Sequence, residues 1–386
     1  MFNIKTMNKI AACGLNLLDK DNFVCGDDLT SEDGILVRSA SLHEYDMPEN
    51  LKAIARAGAG VNNIPIDACS EKGIVVFNTP GANANAVKEL TILGFLLASR
   101  KVSDGINWAK TLIGEGDNVG KLVEKGKSSF AGNEIAGKKL GVIGLGAIGV
   151  KVANTAHHLD MEVMGFDPYL SVSAAWGLSR FVTQAKSNEE IFKSCDYITI
   201  HAPLTDSTRG IINKDTIAIM KDGVKILNFS RDALVNDDDM KEALESGKVS
   251  CYVTDFPNAK SLEMKNCIAI PHLGASTSES EDNCAKMAAT EIADYLLNGN
   301  ITNSVNFPNA SMPRGSETRI CIIHKNIPQV ISAISTAIGD TNIENMLNQS
   351  KKDYAYSMLD ISGDVSEDII SKIKSVDGVI RVRVIK

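Results

Sequence analysis

The stretch Leu140-Gly141-Val142-Ile143-Gly144-Leu145-Gly146-Ala147-Ile148-Gly149 decides the fold. Leu140–Ile143 reads as a buried strand, and a G-x-G-x-x-G follows it at the mouth of a helix-like stretch. Each glycine answers a physical need. Gly144 permits the tight turn, Gly146 lets the backbone approach a pyrophosphate, and Gly149 lets the helix pack closely on the sheet. The helix N-terminus around Ala147 and Ile148 points unpaired N–H groups at the phosphate. Asp167 ends the next strand, Glu162–Phe166, and can accept hydrogen bonds from adenosine ribose hydroxyls. Its charge repels a 2′-phosphate, so NAD is favoured over NADP. A Gly-rich turn beside an incidental Asp is the structural alternative, and the flanking strand and helix weigh against it.

Outward from this motif, apolar β-branched runs alternate with helical stretches. The runs are Ile35–Arg38, Ala53–Ala57, Ile74–Asn78, Leu140–Ile143, Glu162–Phe166, Tyr197–His201, Lys225–Phe229, Ser250–Thr254 and Cys267–Ile270. Such alternation predicts parallel sheets covered by helices. The first three runs form one group and the later six another. Two long helices, Ala84–Val102 and Glu279–Leu297, are expected to carry the chain between the groups. Asp104–Asn133, rich in Gly and Lys, reads as helix plus surface loop, and Asn298–Ser316 as a linker.

The last seventy residues restart the pattern. Strands at Arg319–His324, Asn342–Gln349, Tyr354–Ile361 and Val379–Ile385 alternate with helices at Pro328–Ile338 and Ser366–Ser375. This βαββαβ plan is ferredoxin-like.

Composition narrows the function classes. Of 386 residues, 44% are hydrophobic and 23% charged, which suits a globular chain of two or three domains. The apolar runs, such as Leu93–Ala98, are too short to cross a bilayer, and Met1–Asp19 lacks the apolar core of a secretory signal. A cytoplasmic protein is expected. The eight cysteines are scattered with no C-x-x-C pair, so free thiols are expected and no metal site. A net charge of −8, from 48 acidic against 40 basic residues, argues against nucleic acid as a partner. Local Arg and Lys can still reverse the sign around a small anionic substrate.

Two further segments end at strands. Asn228-Phe229-Ser230-Arg231 closes the run Lys225–Phe229, where open α/β sheets bind ligands. The planar fork of Arg231 can hold a carboxylate, or it is a surface arginine in an ordinary loop. Pro271-His272-Leu273-Gly274-Ala275-Ser276 follows the run Cys267–Ile270. His272 can take a hydroxyl proton while a hydride leaves carbon, or it is a structural histidine. Asp255 can hold a nicotinamide amide or cap a turn.

Taken together, these motifs resemble the D-2-hydroxyacid dehydrogenase family. G-L-G-A-I-G with Asp167, H-A-P-L-T at His201–Thr205, N-F-S-R at Asn228–Arg231, T-D-F-P at Thr254–Pro257 and P-H-L-G-A-S-T at Pro271–Thr277 occur in that family's order. Ala55–Val61 and Phe77–Gly81 look like its substrate-side loops. The tail, with His324-Lys325-Asn326, Asn342–Met346 and Asp353–Tyr356, resembles the ACT regulatory domain that some members carry.

The resemblance implies an α/β fold of two Rossmann-like parallel-sheet domains plus a C-terminal ferredoxin-like ACT domain. It places the substrate domain at 1–97 with 284–305, the NAD-binding domain at 98–283 and the ACT domain at 317–386. It implies NAD-dependent oxidation of D-3-phosphoglycerate, with Arg231 on the substrate carboxylate and His272 as general acid/base. Cofactor contacts fall on Gly144, Gly146, Ala147, Ile148, Gly149, Asp167, His201, Ala202, Pro203, Phe229, Ser230, Arg231, Asp255, His272, Gly274 and Ala275. Substrate contacts fall on Arg38, Ser39, Gly58, Ala59, Gly60, Val61, Asn78, Lys110 and Arg231. His324, Asn326 and Asn342 match an L-serine effector site, in a homo-oligomer that is a dimer or tetramer.

Two departures stand out. Asp232 follows Arg231 where the family usually has Gly, and it weakens anion binding unless it turns outward. The family's Glu after the D-x-F segment, which hydrogen-bonds the catalytic His, is absent from Asp255-Phe256-Pro257-Asn258-Ala259-Lys260. His272 either finds another carboxylate or works without one. Alternatives are a hydroxypyruvate or glyoxylate reductase on the same scaffold, or a non-catalytic NAD-sensing protein.

Overall fold

The computed structural model describes residues 1–315 and 318–386. The end of the expected linker, Ser316, and the first residue of the expected ACT range, Glu317, lie outside the described residues. The chain divides into two compact units, Met1–Asn83 with Ser278–Lys386, and Ala84–Thr277.

The first unit contains a parallel sheet of β1 (Phe2–Met7), β2 (Phe23–Gly26), β3 (Gly34–Val37), β4 (Ala53–Arg56) and β5 (Val75–Phe77), ordered β2-β1-β3-β4-β5. The order reverses between β1 and β3, and such a reversal leaves a ligand crevice beyond the strand ends. Five strands replace the three expected. β1 and β2 went unread because Phe2-Asn3-Ile4-Lys5-Thr6-Met7 interleaves polar residues, and only Ile4 is fully buried. Lys5 spends its charge on the face of Tyr45, 5.4 Å from the ring centroid.

The second unit contains β6 (Lys139–Ile143), β7 (Glu162–Phe166), β8 (Thr183–Gln184), β9 (Tyr197–Ile200), β10 (Val224–Asn228), β11 (Val249–Thr254) and β12 (Cys267–Ala269). All pair in parallel, in the order β12-β11-β10-β9-β6-β7-β8. The reversal lies between β6 and β9. Seven strands replace the six expected, the extra one being the two-residue edge β8. Helix Ala84–Ser99 belongs wholly to this unit, and helix Ser278–Asn298 wholly to the first. The units therefore change at helix starts, ahead of the expected 97/98 and 283/284, because a packed helix travels with one core.

The C-terminal sheet consists of β13 (Thr318–Lys325), β14 (Ile343–Lys351), β15 (Tyr354–Ile361) and β16 (Val379–Ile385), antiparallel in the order β14-β15-β13-β16. Helices Val330–Ile338 and Glu367–Lys374 cover one face through Ile320, Ile322, Leu359 and Ile361. The other face, with Cys321, Ile323, Tyr356, Met358 and Ile385, joins the core of the first unit around Tyr295 and Phe307. The sheet is thus part of the first unit's core. The segment read as a linker is correspondingly built in. Ile301, Phe307 and Ala310 are buried, Ile301 bridges Ala310, and Asn306 donates to Ile74 O at 2.9 Å and Ser70 Oγ at 3.1 Å. Its Gly, Asn and Pro residues make turns that pack.

One buried carboxyl gives the first unit a pH dependence. Glu291 is 6% exposed, its Oε1 accepts from Asn303 Nδ2 at 2.7 Å, and its Oε2 has no partner among the described residues. Burial pushes its pKa from 4.5 up to about 8. A raised acid binds its proton in the folded state, so its charge opposes folding as pH climbs above the unfolded value. Glu291→Gln is expected to match the wild type at pH 4–5. It should become more stable by ~3–5 kcal/mol at pH 8–9. Urea unfolding across that range checks this, and parallel curves would show that Glu291 is ionised in the fold.

Candidate active site

The second unit's crevice is built where β6 and β9 diverge. Gly144 sits at φ +88°, and a Cβ there would lie 2.7 Å from the backbone of His201, so His201-Ala202-Pro203 runs directly against the turn. A Cβ on Gly149 would lie 2.0 Å from Gly144 O, which fixes the helix on the turn. Gly146 instead faces open space and starts helix Ala147–His158 with no side-chain cap. The first-turn N–H groups of Ala147 and Ile148 are left for an anion. Asp167 Oδ2 accepts from Leu145 N at 2.8 Å and Oδ1 from Tyr169 N at 2.8 Å, which holds the carboxylate at the strand end.

His201 is a brace. Nε2 meets Thr199 Oγ1 at 3.0 Å, and burial pushes its pKa down to about 3, so the ring stays neutral. It takes up no second proton near neutral pH.

Asn228, fully buried at the end of β10, shapes the Arg231 loop. Its Nδ2 donates to Arg231 O at 2.8 Å, and its Oδ1 accepts from Ser230 N at 3.2 Å. Ser230 Oγ donates to Ile200 O at 2.7 Å, tying the loop to β9. Arg231 is left exposed. Phe229 is buried beside Gly94, where an added Cβ would meet its ring at 2.9 Å, so only its backbone can face a ligand. Asp232 is turned outward. Asn258 Nδ2 donates to Asp232 Oδ1 at 3.2 Å and to Asp237 Oδ2 at 2.9 Å.

Asp255 follows β11 and is 1% exposed. Its Oδ2 accepts from Gly274 N at 3.3 Å, while Oδ1 is buried without a partner among the described residues. Burial raises its pKa, and the nearby charges of His272 and Arg231 oppose that rise. A buried, unpartnered acceptor of this kind fits the N–H of a carboxamide. His272 is exposed, with its ring 4.7 Å from that of Phe256. No carboxylate hydrogen-bonds it among the described residues, and the nearby charged group is Asp255. Glu263 ends helix Ala259–Glu263 without a bond to His272. Ala275 lies next to Gly274, partly buried, and Lys110 at the exposed end of helix Val102–Lys110.

The first unit gathers its own set at the ends of β3, β4 and β5. Arg38 and Ser39 follow β3. Asn8 Oδ1 accepts from the N–H groups of Ser39 at 3.0 Å and Ala40 at 2.7 Å. Gly58, at φ +156°, opens the loop Gly58–Val61 after β4, and the N–H groups of Ala59, Gly60 and Val61 have no acceptor among the described residues. Asn78 Nδ2 braces the loop from β5 by donating to Ala59 O at 2.6 Å. Arg56 lies in the Ala55–Val61 segment but was not singled out there as a substrate contact. Its Nε donates to Arg38 O at 3.1 Å, and its guanidinium lies against Gly58, beside Arg38 at the adjacent strand end. Its place at the end of a strand run, like that of Arg38, was the available signal.

His324, Asn326 and Asn342 do not come together in one chain. His324 is buried, with Nδ1 on Lys325 O at 2.8 Å and Nε2 near Ser357 Oγ at 3.0 Å. Asn326 donates to Lys352 O at that same end of the sheet. Asn342 reaches Ser362 Oγ at the other end. Among the described residues no cluster of His, Cys, Asp and Glu could hold a metal, and no helix is long and apolar enough to cross a membrane.

Fold and site together define a dinucleotide-dependent dehydrogenase architecture, and comparison with known proteins agrees. Residues 96–274 match the model of the D-isomer specific 2-hydroxyacid dehydrogenase, NAD binding domain. D-3-phosphoglycerate dehydrogenase of Haemophilus influenzae is 31% identical over 343 residues, covering 84% of this chain and 79% of that protein. The Pongo abelii enzyme of the same name is 34% identical over 308 residues, or 76% of this chain. The chain spans about half, 55%, of the length of that relative. The NAD+-bound 3-phosphoglycerate dehydrogenase of Entamoeba histolytica is 27% identical with a TM-score of 0.58, covering 79% of this chain and 98% of that one. The chain belongs to the D-isomer specific 2-hydroxyacid dehydrogenase family.

Proposed function

We propose that this protein oxidises D-3-phosphoglycerate to 3-phosphohydroxypyruvate with NAD, the entry to phosphorylated serine synthesis. The observation that carries the substrate is the pair Arg38 and Arg56 at adjacent strand ends, beside a loop of free N–H groups. Two guanidinium groups and backbone donors suit a phosphate dianion. Glyoxylate and hydroxypyruvate carry no phosphate for them to hold.

NAD, when bound, supplies the hydride acceptor. The N–H groups of Ala147 and Ile148 would hold its pyrophosphate, Asp167 its ribose and Asp255 Oδ1 its carboxamide. Arg231 grips the substrate carboxylate. As the C2–H bond breaks and its electron pair leaves as hydride, His272 takes the hydroxyl proton and the C–O bond becomes a carbonyl. Ser39, Gly58, Ala59, Gly60, Val61, Asn78 and Lys110 complete the substrate contacts. A homo-oligomer and L-serine feedback belong to the same reading. A serine site using His324, Asn326 and Asn342 needs Asn342 from a second copy. Eight free thiols suit a reducing, cytoplasmic setting.

The test follows NADH absorbance with 3-phosphohydroxypyruvate, hydroxypyruvate and glyoxylate, each with and without L-serine. Turnover confined to the phosphorylated acid is expected. Equal rates with all three would return the site to a general reductase, and intact NADH binding without turnover to an NAD sensor.

A further inference from the structure

Helix Ser278–Asn298 is 21 residues long, a rod of about 30 Å. Its last carbonyls have no partners within the helix and carry the negative end of its dipole. Tyr295 O accepts from Gly299 N at 2.9 Å, and side chains of the C-terminal sheet add donors to Tyr295 O, Leu296 O and Asn298 O. Arg383, on β16, donates from Nη1 to Tyr295 O at 3.3 Å and from Nη2 to Leu296 O at 2.9 Å. Its guanidinium lies 4.4 Å from the Tyr295 ring centroid. Arg319, on β13, donates to Asn298 O at 2.9 Å, and Tyr356, on β15, to Gly299 O at 2.6 Å. Arg319 is wholly buried and is fixed in turn by Asp360 at 2.6 Å. Gly299 has φ +78°, and a Cβ there would lie 2.4 Å from Cys321 Sγ, so the sheet touches the helix end directly.

The other end of the rod reaches the first unit's strand ends. Glu281, in the first turn, accepts from Arg38 Nη2 at 2.7 Å. Between the ends there is no slack. A Cβ on Gly14 would lie 2.6 Å from the Ala285 backbone, and one on Gly34 2.7 Å from Ile292 Cδ1.

We infer that the C-terminal sheet is the cap of this helix and, through the rod, sets how firmly Glu281 holds Arg38. A close-packed rod passes on a displacement of its end. Whatever moves the sheet, a small ligand or a second copy, then frees or withholds the Arg38 guanidinium. The consequence for turnover rests on Arg38 as a phosphate residue, whereas the coupling itself does not.

Amide hydrogen exchange on the full-length chain tests the coupling without any substrate. Tyr356→Phe removes one cap bond and keeps the ring, so folding is retained. Exchange at residues 295–299 should rise about threefold or more. The same rise is expected at 278–282 and at Ser39 and Ala40. Acceleration confined to 295–301 overturns the proposal. A second readout is the KM for 3-phosphohydroxypyruvate in Arg383→Gln, Glu281→Gln and the double variant. Effects that couple by more than about twofold support the rod, and simple additivity overturns it. Wild-type protein without turnover would sink the substrate reading while leaving the exchange result decisive.

Discussion

Replacing His272 with Asn is expected to lower kcat by about 10²–10⁴-fold while NADH binding stays within a factor of about three. The asparagine keeps the size and a hydrogen-bonding head but cannot accept the hydroxyl proton. His272 lies beyond β12, exposed and steadied by the Phe256 ring, so its loss leaves no cavity. Asp167 and Asp255, the proposed cofactor anchors, are held by their own backbone donors and do not depend on it. Steady-state kinetics with NADH and 3-phosphohydroxypyruvate, paired with NADH fluorescence titration, separates the two effects. Retention of more than a tenth of the turnover would remove His272 from the chemistry. Glu263→Gln belongs in the same series. Glu263 makes no bond to His272, so the variant's pH–rate profile should overlay the wild type.

The dinucleotide unit was readable because its signals are local. A glycine turn, a strand before it and an acid after it lie within one βαβ unit. The structure sets Gly144 and Gly149 where backbone crowding leaves no room for a side chain, while Gly146 faces open space. The ends of β10 and β11 were readable for the same reason, as each motif directly follows a run of mostly buried residues, and that of β12 follows a short half-buried strand. What escaped was set by distant partners. β1 lies inside a sheet and still carries Lys5 and Thr6, because Tyr45 and the strand's end accommodate them. Asn8 and Asn78 are loop braces whose N–H and carbonyl partners lie 31 and 19 residues away in sequence.

The C-terminal sheet holds the clearest overlooked signal. A ferredoxin-like sheet with one open face should alternate buried and exposed residues. β13 and β15 are instead buried almost end to end, and their sequences, Thr-Arg-Ile-Cys-Ile-Ile-His-Lys and Tyr-Ala-Tyr-Ser-Met-Leu-Asp-Ile, run apolar on both faces. That run called for a second covering layer, which the first unit provides. Arg319 and Asp360 disguised it, since a fully buried ion pair looks like surface in a sequence. His324 misled in the opposite sense. Its match to an effector position gave no hint that its ring is occupied by Ser357 and Lys325 O.

Arg231→Ala should cost more than the loss of a charge. Two charge-assisted hydrogen bonds to a carboxylate are worth about 3–5 kcal/mol together, so kcat/KM should fall by roughly 10²–10⁴-fold. The loss should appear in both constants, because the fork holds the acid in place and also orients C2 for hydride loss. The fold should tolerate the change. Asn228 holds the loop through the Arg231 carbonyl and Ser230 N–H, groups that alanine retains, and the guanidinium packs in no core. Unchanged thermal unfolding is therefore expected beside the kinetic loss. Arg231→Lys keeps the cation without the fork and should recover only about tenfold of it. Asp232→Gly separates the remaining question. Asn258 already draws that carboxylate away, so its removal should change KM by less than about twofold. A large gain in affinity would mean that Asp232 swings back towards the substrate and that Asn258 holds it only part of the time. Near-normal turnover in Arg231→Ala would move the carboxylate clamp to another residue, with Arg56 the first to test.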